Sequence, residues 1–227
     1  MKKTTLVVFL LVGVIDLMAL QWEWPAVHLV MKPLIMISLA IHYGWSTHRL
    51  KTESNRWTWA ALGFSWLGDL LLLNQHVSLF FMLGLAAFLV AHISYMISYR
   101  QHCQNAAPGL LTTQKVRFAL PVFLAGTGLV VVLYPNLGEF TLPVVLYAAV
   151  LMMMVAESIF RFGKTVSKSF WMVMLGAVLF MVSDSFIALN KFYSEIDHAS
   201  LWIMLTYIPA QGLIIAGLLE HKKAASV

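Results

Sequence analysis

The feature that most constrains this chain is a succession of apolar runs, each long enough to cross a lipid bilayer. A membrane-spanning helix needs about 20 mostly apolar residues, and eight such runs occur along the 227 residues, separated by charged or turn-forming stretches. They cover roughly Thr5–Leu20, Val27–Gly44, Trp57–Asn74, Ser78–Tyr99, Val116–Tyr134, Leu142–Phe160, Phe170–Asn190 and Ala199–Leu219. The pattern predicts an all-α, polytopic membrane bundle of eight transmembrane helices in one domain, residues 1–227.

Composition excludes the soluble alternatives. Only 11% of the residues are Asp, Glu, Lys or Arg, and 60% are apolar, whereas an average soluble domain is about 25% charged. A soluble chain of this size needs more polar side chains to cover its surface. The single cysteine, Cys103, excludes an intramolecular disulfide and leaves the redox compartment open.

The positive charges predict the orientation of the helices. Of the 15 Lys and Arg residues, 13 fall on one side of the predicted bundle: Lys2, Lys3, Arg49, Lys51, Arg56, Arg100, Lys115, Arg117, Arg161, Lys164, Lys168, Lys222 and Lys223. Because cytoplasmic loops carry the excess of Lys and Arg, both termini are predicted to be cytoplasmic, as in a multi-pass protein of a bacterial inner (plasma) membrane. The net charge of +5 then reflects topology, and no nucleic-acid partner is predicted.

The first apolar run is predicted to be a retained span. It follows Lys2 and Lys3, as the apolar part of a signal peptide would. However, Asp16 interrupts it, and no small-residue cleavage site follows.

Two short stretches in the two halves of the chain resemble each other. Trp66-Leu-Gly-Asp69 in helix 3 is similar to Met181-Val-Ser-Asp184 in helix 7. His92 and Tyr207 each lie 23 positions after the corresponding aspartate. This similarity raises the hypothesis of two parallel four-helix repeats, which two short matches alone do not establish.

Three ionisable residues lie deep in the predicted membrane helices. Ionisable side chains within a bilayer are costly and need a partner or a function. At a rise of 1.5 Å per residue, Asp69, Asp184 and Lys32 share one depth in the outer half of the membrane. A structural ion pair of Lys32 with one aspartate would leave the other carboxyl unpaired and protonated, ready to act as a general acid. Asp16 and Glu157 lie nearer the boundaries, where solvation is expected to account for them.

Further polar side chains on neighbouring helices are candidates for the same site. They are His92 and Tyr95 of helix 4, Tyr147 of helix 6, Asn190 of helix 7, and Tyr207 and Gln211 of helix 8. No H-E-x-x-H motif, Gly-rich phosphate loop or G-x-S-x-G elbow is present. The sequence therefore predicts no metal and no cofactor, and it disfavours a serine-nucleophile lipase.

Six stretches in these helices have the order and spacing found in one family. They are Lys32-Pro-Leu, Gly63-Phe-Ser-Trp-Leu-Gly-Asp-Leu-Leu-Leu, Gly84…Phe88-Leu-Val-Ala-His92-Ile-Ser-Tyr95, Gly176-Ala-Val-Leu-Phe-Met-Val-Ser-Asp184-Ser, Leu189-Asn-Lys-Phe192 and Tyr207-Ile-Pro-Ala-Gln211. With them, the chain from helix 2 onward resembles the YhhN family of membrane lysoplasmalogenases. Each stretch alone is a weak signal, whereas the order, the spacing and the eight predicted spans together are specific.

The resemblance implies hydrolysis of the vinyl-ether bond of a lysoplasmalogen, a lysophospholipid, within the membrane lipid. The products would be a fatty aldehyde and glycerophosphocholine or glycerophosphoethanolamine. Such a reaction needs one protonated acid and one anionic group, the division of labour in paired-carboxylate glycosidases. The predicted catalytic residues are Asp69, Asp184 and His92, and the predicted substrate-binding residues are Lys32, Tyr95, Tyr147, Asn190, Tyr207 and Gln211.

Two other classes of protein also fit the sequence. A small-solute transporter or channel would share the spans, the repeat and the charges at one depth. Its polar residues should continue to the inner face, where Glu157 is the only strong candidate. A scaffold or lipid-sensing protein would use the charges as a structural ion pair. The sequence does not specify the head group or the oligomeric state.

Overall fold

The computed structural model describes residues 2–50, 55–103 and 108–225, which form eight α-helices and no β-strand. The helices are α1 (Lys2–Gln21), α2 (Pro25–Leu50), α3 (Arg56–Leu72), α4 (Ser78–Gln101), α5 (Thr112–Leu133), α6 (Thr141–Ile159), α7 (Ser167–Phe192) and α8 (Ala199–Ala225). The predicted all-α architecture with eight helices is confirmed. Lys51, one of the residues used to predict the orientation, lies outside the described residues.

Seven of the described helices are long and apolar enough to cross a membrane. The other, α3, has 17 residues and is about 26 Å long at 1.5 Å per residue, slightly less than a ~30 Å hydrocarbon core. It begins after Asn55, whose side chain accepts hydrogen bonds from the backbone N–H groups of Trp57 and Thr58. Because α3 ends at Leu72, Asp69 lies within its last turn.

Several helices extend beyond the predicted apolar runs. The α2 helix continues to Leu50 and α8 to Ala225, although the runs end at Gly44 and Leu219. Hydropathy falls where polar residues enter the interface, but the backbone hydrogen bonds of a helix continue there because each is made within the helix itself. The sequence pattern therefore locates the apolar part of a span rather than the end of its helix.

Consecutive helices pack as antiparallel pairs. The main contacts join α1 to α2, α3 to α4, α5 to α6 and α7 to α8, and α4 also packs on α6 as α2 packs on α8. When α1–α4 are replaced in order by α5–α8, and the reverse, each contact becomes another observed contact. The α1–α2 pair corresponds to α5–α6, α3–α4 to α7–α8, and α4–α6 to α2–α8. This is the packing expected of two parallel four-helix repeats.

Glycines allow the close approach of helices on which the two aspartates lie. A Cβ atom on Gly84 of α4 would lie 2.8 Å from Leu72 Cδ2 of α3. One on Gly176 of α7 would lie 2.8 Å from the backbone oxygen of Ala210 in α8. Small residues of this kind are typical of tightly packed membrane helices. Both α3 and α7 are therefore held firmly against their partners.

The bundle has two distinct ends. The connections 22–24, 73–77, 134–140 and 193–198 lie at one end, here called the carboxylate end because Asp69 is close to it. The segments Asn55, 102–103, 108–111 and 160–166 lie at the other, here called the terminal end, together with the first and last helical residues. The even number of helices places the first and last helical residues on one side, while the cytoplasmic location of the termini stays a prediction.

Candidate functional site

Asp69 is buried at the end of a chain of hydrogen-bond donors. Tyr207 Oη of α8 donates to Asp69 Oδ2 over 2.8 Å. The side-chain amide of Gln211, one turn further along α8, donates to Tyr207 Oη over 3.2 Å and to Ser65 Oγ over 3.1 Å. Tyr95 Oη of α4 donates to Gln211 Oε1 over 2.5 Å. Because the amide donates to the Tyr207 oxygen, the Tyr207 proton is directed at the carboxylate.

Asp184 is held by a second group of side chains. Tyr147 Oη of α6 donates to Asp184 Oδ2 over 2.5 Å. His92 Nε2 of α4 lies 2.9 Å from Tyr147 Oη and 3.3 Å from Asp184 Oδ2. Since the Tyr147 proton is directed at the carboxylate, His92 Nε2 is the donor in this group. His92 Nδ1 is buried and has no hydrogen-bond partner in the described part of the chain.

Two phenylalanine rings separate these groups. The ring centre of Phe180 lies 4.8 Å from that of His92 and 5.4 Å from that of Tyr207. Phe88 lies 6.4 Å from His92 and 6.0 Å from Tyr207. Apolar rings lower the local polarity, and charges interact more strongly in such surroundings.

The two groups occupy equivalent positions in the two halves of the chain. Three pairs of site residues are each 115 positions apart: Asp69 and Asp184, His92 and Tyr207, and Lys32 and Tyr147. Each carboxylate is bonded by a residue from the opposite half. Asp69 pairs with Tyr207, and Asp184 pairs with His92. A two-fold axis along the bundle would produce this exchange.

Lys32 and Asp16 lie near Asp69 but do not bond to it. Lys32 is half-buried and forms no ion pair with Asp69 or Asp184 within the described residues. Its charge acts on Asp69 at longer range, as does that of Asp16. The expectation that solvation accounts for Asp16 was wrong. Because α1 packs on α2, this carboxylate is fully buried, and His28 Nδ1 lies 2.8 Å from its Oδ1.

Asp184 borders two small cavities. One has a volume of about 40 Å³ and the other about 50 Å³, and Tyr147 lines both. Each is large enough for at least one water molecule. Asp69 lines neither cavity. Both carboxylates use Oδ2 in the hydrogen bonds described above, so Oδ1 is the oxygen left for other contacts.

Two predicted polar residues have other partners. Asn190 Oδ1 accepts a hydrogen bond from the backbone N–H of Ile196 over 2.9 Å, which fixes the connection before α8. Glu157, expected to be solvated at the boundary, is half-buried and forms an ion pair with Arg100. It therefore does not extend the polar site across the bundle, as a transport path would require.

Sequence reasoning missed Ser65, Phe88 and Phe180 as parts of the site. Ser65 lies one turn before Asp69 on α3, and this i,i+4 spacing was the available signal. Phe88 and Phe180 have the same i,i+4 spacing before His92 and Asp184, so the same signal was available for both phenylalanines. Within the described residues, no three His, Cys, Asp or Glu side chains are grouped as metal ligands.

Comparison with known proteins connects this site to one family. The model of the YhhN family matches residues 27–218, a stretch that contains all nine predicted site residues. A protein of Mycobacterium bovis named lysoplasmalogenase is 30% identical over 194 residues, covering 84% of this chain and 71% of that protein. Lysoplasmalogenase TMEM86A of Bos taurus is 32% identical over 166 residues, covering 71% and 65%. Human lysoplasmalogenase TMEM86B is 34% identical over 134 residues, covering 59% and 52%. No solved structure matches.

Proposed function

This chain belongs to the YhhN family, and from that premise we propose that it is a lysoplasmalogenase. It is an integral, multi-pass membrane enzyme that hydrolyses the vinyl-ether bond of a lysoplasmalogen. The observation that carries the proposal is the pair of buried carboxylates, Asp69 and Asp184, each held by its own tyrosine donor inside the region that matches the family. The membrane is a bacterial inner membrane, with both termini in the cytoplasm.

The reaction requires a proton on carbon. An acid protonates the β-carbon of the vinyl ether. The positive charge then lies on the α-carbon, which is bonded to the ether oxygen, and the two atoms share it as an oxocarbenium ion. Water adds to that carbon and loses a proton to a base. The resulting hemiacetal collapses to a fatty aldehyde and the free hydroxyl of the glycerophospho-head group. One acid and one base therefore suffice, as in carboxylate-dependent glycosidases.

The surroundings of the carboxylates divide these roles. Asp184 borders cavities that have room for water, so we assign it to activation of the water molecule. His92 lies beside Asp184 and positions it through Tyr147. Asp69 has an Oδ1 without a hydrogen bond to the described residues, and we assign it to protonation of the substrate. Tyr207 and the Gln211 amide orient Asp69 for that step.

The proposal is tested by incubating the purified protein, in detergent or nanodiscs, with a lysoplasmalogen and with its acyl-ester analogue. The expected result is free aldehyde from the vinyl ether and no fatty acid from the ester. A protein that releases fatty acid but no aldehyde would be a lysophospholipase instead. In deuterated water, the aldehyde should carry one deuterium on the carbon next to the carbonyl, because that carbon receives the catalytic proton.

A further inference from the structure

We propose that an apolar groove between α2 and α3 binds the alkenyl chain of the substrate and directs its vinyl ether to Asp69. This inference rests on the proposed function and adds the binding mode of the lipid. The groove has a volume of about 400 Å³ and is lined only by apolar side chains and Gly63. Met36 and Leu62, both almost fully buried, form its floor.

The rim of the groove faces the lipid. Ile37 and Ile41 of α2 and Trp59 and Trp66 of α3 line it, and between 37% and 56% of each residue is exposed. These partly exposed side chains leave the groove open on its lipid-facing side. A single hydrocarbon chain can therefore enter from the bilayer without a change in the bundle. A lysolipid has one such chain.

The register of the two helices connects the groove to the carboxylate. Lys32 lies one turn before Met36 on α2, and Asp69 lies one turn after Trp66 on α3. Because α2 and α3 are antiparallel, both charged residues lie at the same end of the groove. A chain in the groove thus leads its polar end to Asp69. The phosphate of the head group then lies near the positive charge of Lys32, which also acts on Asp69.

Trp59 limits the groove at its other end. Its ring packs edge-on against Tyr43, with 5.3 Å between the ring centres. A Cβ atom on Gly44 of α2 would lie 3.1 Å from the same ring, so the indole reaches across to α2. From Trp59 to Trp66, α3 rises about 10 Å. The groove therefore holds the part of the chain next to the vinyl ether, and the remainder of a long chain lies in the bilayer.

The chain offers a matched pair of glycines for the test. A Cβ atom on Gly63 in the groove, or on Gly128 of α5, would meet no heavy atom within 4 Å. Gly63→Leu therefore begins its side chain in open space and extends it into the groove, and Gly128→Leu adds the same side chain to a surface outside the site. Both changes replace glycine by a better helix former. Neither substitution is expected to lower the amount of folded protein, which size-exclusion chromatography checks.

The measurement is kcat/KM in nanodiscs for a hexadecenyl and a butenyl lysoplasmalogen. Gly63→Leu should lower the value for the hexadecenyl substrate about tenfold or more, which is the usual effect of misfit in an apolar pocket. It should leave the butenyl substrate nearly unchanged, and Gly128→Leu should leave both unchanged. Trp59→Ala should lengthen the groove and raise the ratio of hexadecenyl to butenyl kcat/KM.

The outcomes separate the two proposals. If wild-type protein cleaves lysoplasmalogen but Gly63→Leu keeps the wild-type ratio of the two substrates, the groove holds an ordinary bilayer lipid and the inference is wrong. An equal loss for both substrates also contradicts it, because the effect then does not depend on the chain. If the wild-type protein releases no aldehyde from either substrate, the proposed function itself fails.

Discussion

Buried ionisable groups occur at both ends of this bundle, and the two ends satisfy them differently. Near the carboxylate end, Asp69 and Asp184 each accept a hydrogen bond from a buried tyrosine. At the terminal end, Arg161 is 1% exposed and donates from Nη2 to Ser169 Oγ over 3.0 Å. Its Nε and Nη1 atoms have no hydrogen-bond partner among the described residues. The ring of Tyr99 lies 5.6 Å from the guanidinium carbon, and the side chain of Cys103 is also close to it.

His102, which lies near Arg161, is neutral and does not add to the positive charge there. Burial is the main cause that lowers the pKa of His102 to about 4, and the positive charges of Lys222 and Arg161 contribute. Burial also lowers the pKa of Arg161 itself. The contrast teaches that each aspartate of the site receives a tyrosine donor on one oxygen, whereas the terminal end keeps a buried base with few acceptors. We expect substitutions at the first site to affect catalysis, and those at the terminal end to leave catalysis unchanged.

The largest expected effect is the loss of either carboxylate. Asp69→Asn and Asp184→Asn retain the side-chain volume but cannot transfer a proton, a contribution of typically ~10²–10⁴ in rate. Each variant should lose at least that much vinyl-ether hydrolysis while its melting temperature stays close to that of wild type. Arg161→Met is the control from the other end and should retain activity. Near-wild-type rates in both Asn variants would contradict the two-carboxylate mechanism.

The sequence predicts how deep a residue lies in the membrane better than it predicts which side chains that residue contacts. Apolar runs locate the eight helices because burial in lipid requires them, and the rise per residue places Asp69, Asp184 and Lys32 at one depth. Which carboxylate faces which tyrosine depends on the rotation and packing of each helix, and hydropathy does not encode these. The same limitation explains Asp16, whose burial depends on how α1 lies on α2. Arg161 lies in a connection that the sequence predicts to be cytoplasmic, and hydropathy does not show that this connection packs against the helix ends and buries the side chain.

His92→Gln should reduce activity less than either aspartate substitution. The imidazole donates to Tyr147, which donates to Asp184, so its role is to position the carboxylate. We expect a loss of about 10–100-fold, the size found for residues that orient the ligands of metal sites in other enzymes. Steady-state kinetics with the same substrate provide the measurement, and the pH profile should keep its shape. A loss as large as that of Asp69→Asn, with an altered profile, would identify His92 as the acid.

Tyr207→Phe and Tyr147→Phe compare the two halves of the site. Each removes one hydrogen bond to a carboxylate, and Tyr207→Phe also leaves one donor of Gln211 without an acceptor. An unsatisfied buried group costs about 1–3 kcal/mol. Thermal unfolding should therefore show a larger loss of stability for Tyr207→Phe. Equal losses would mean that the Gln211 amide finds another acceptor and that the donor chain is not rigid.

Arg161→Met tests the terminal end directly. The substitution removes a buried charge whose Nε and Nη1 groups have no acceptor in the described structure, and Met retains a similar apolar stem. Replacing buried charged groups by apolar residues of similar size is often neutral or stabilising. The melting temperature should stay the same or rise. A strong decrease would show that Arg161 contributes a stabilising interaction that outweighs its unsatisfied donors.

The smallest effect concerns the dependence of stability on pH at His102. Its pKa is about 4 in the folded protein because burial disfavours the charged imidazole, and it returns to about 6.5 when the chain unfolds. Between these pH values the unfolded state binds more protons than the folded state. The stability contributed by the neutral, buried imidazole is therefore fully present above pH 6.5 and is lost as the pH falls toward 4. His102→Gln removes this titration and should flatten the melting temperature between pH 7.5 and 5, without changing activity at neutral pH. If wild type and His102→Gln lose stability in parallel over that range, another group near the terminal end carries the titration. In that case burial would not be what keeps His102 neutral, and the contrast with the proton-transferring carboxylates would not extend to this histidine.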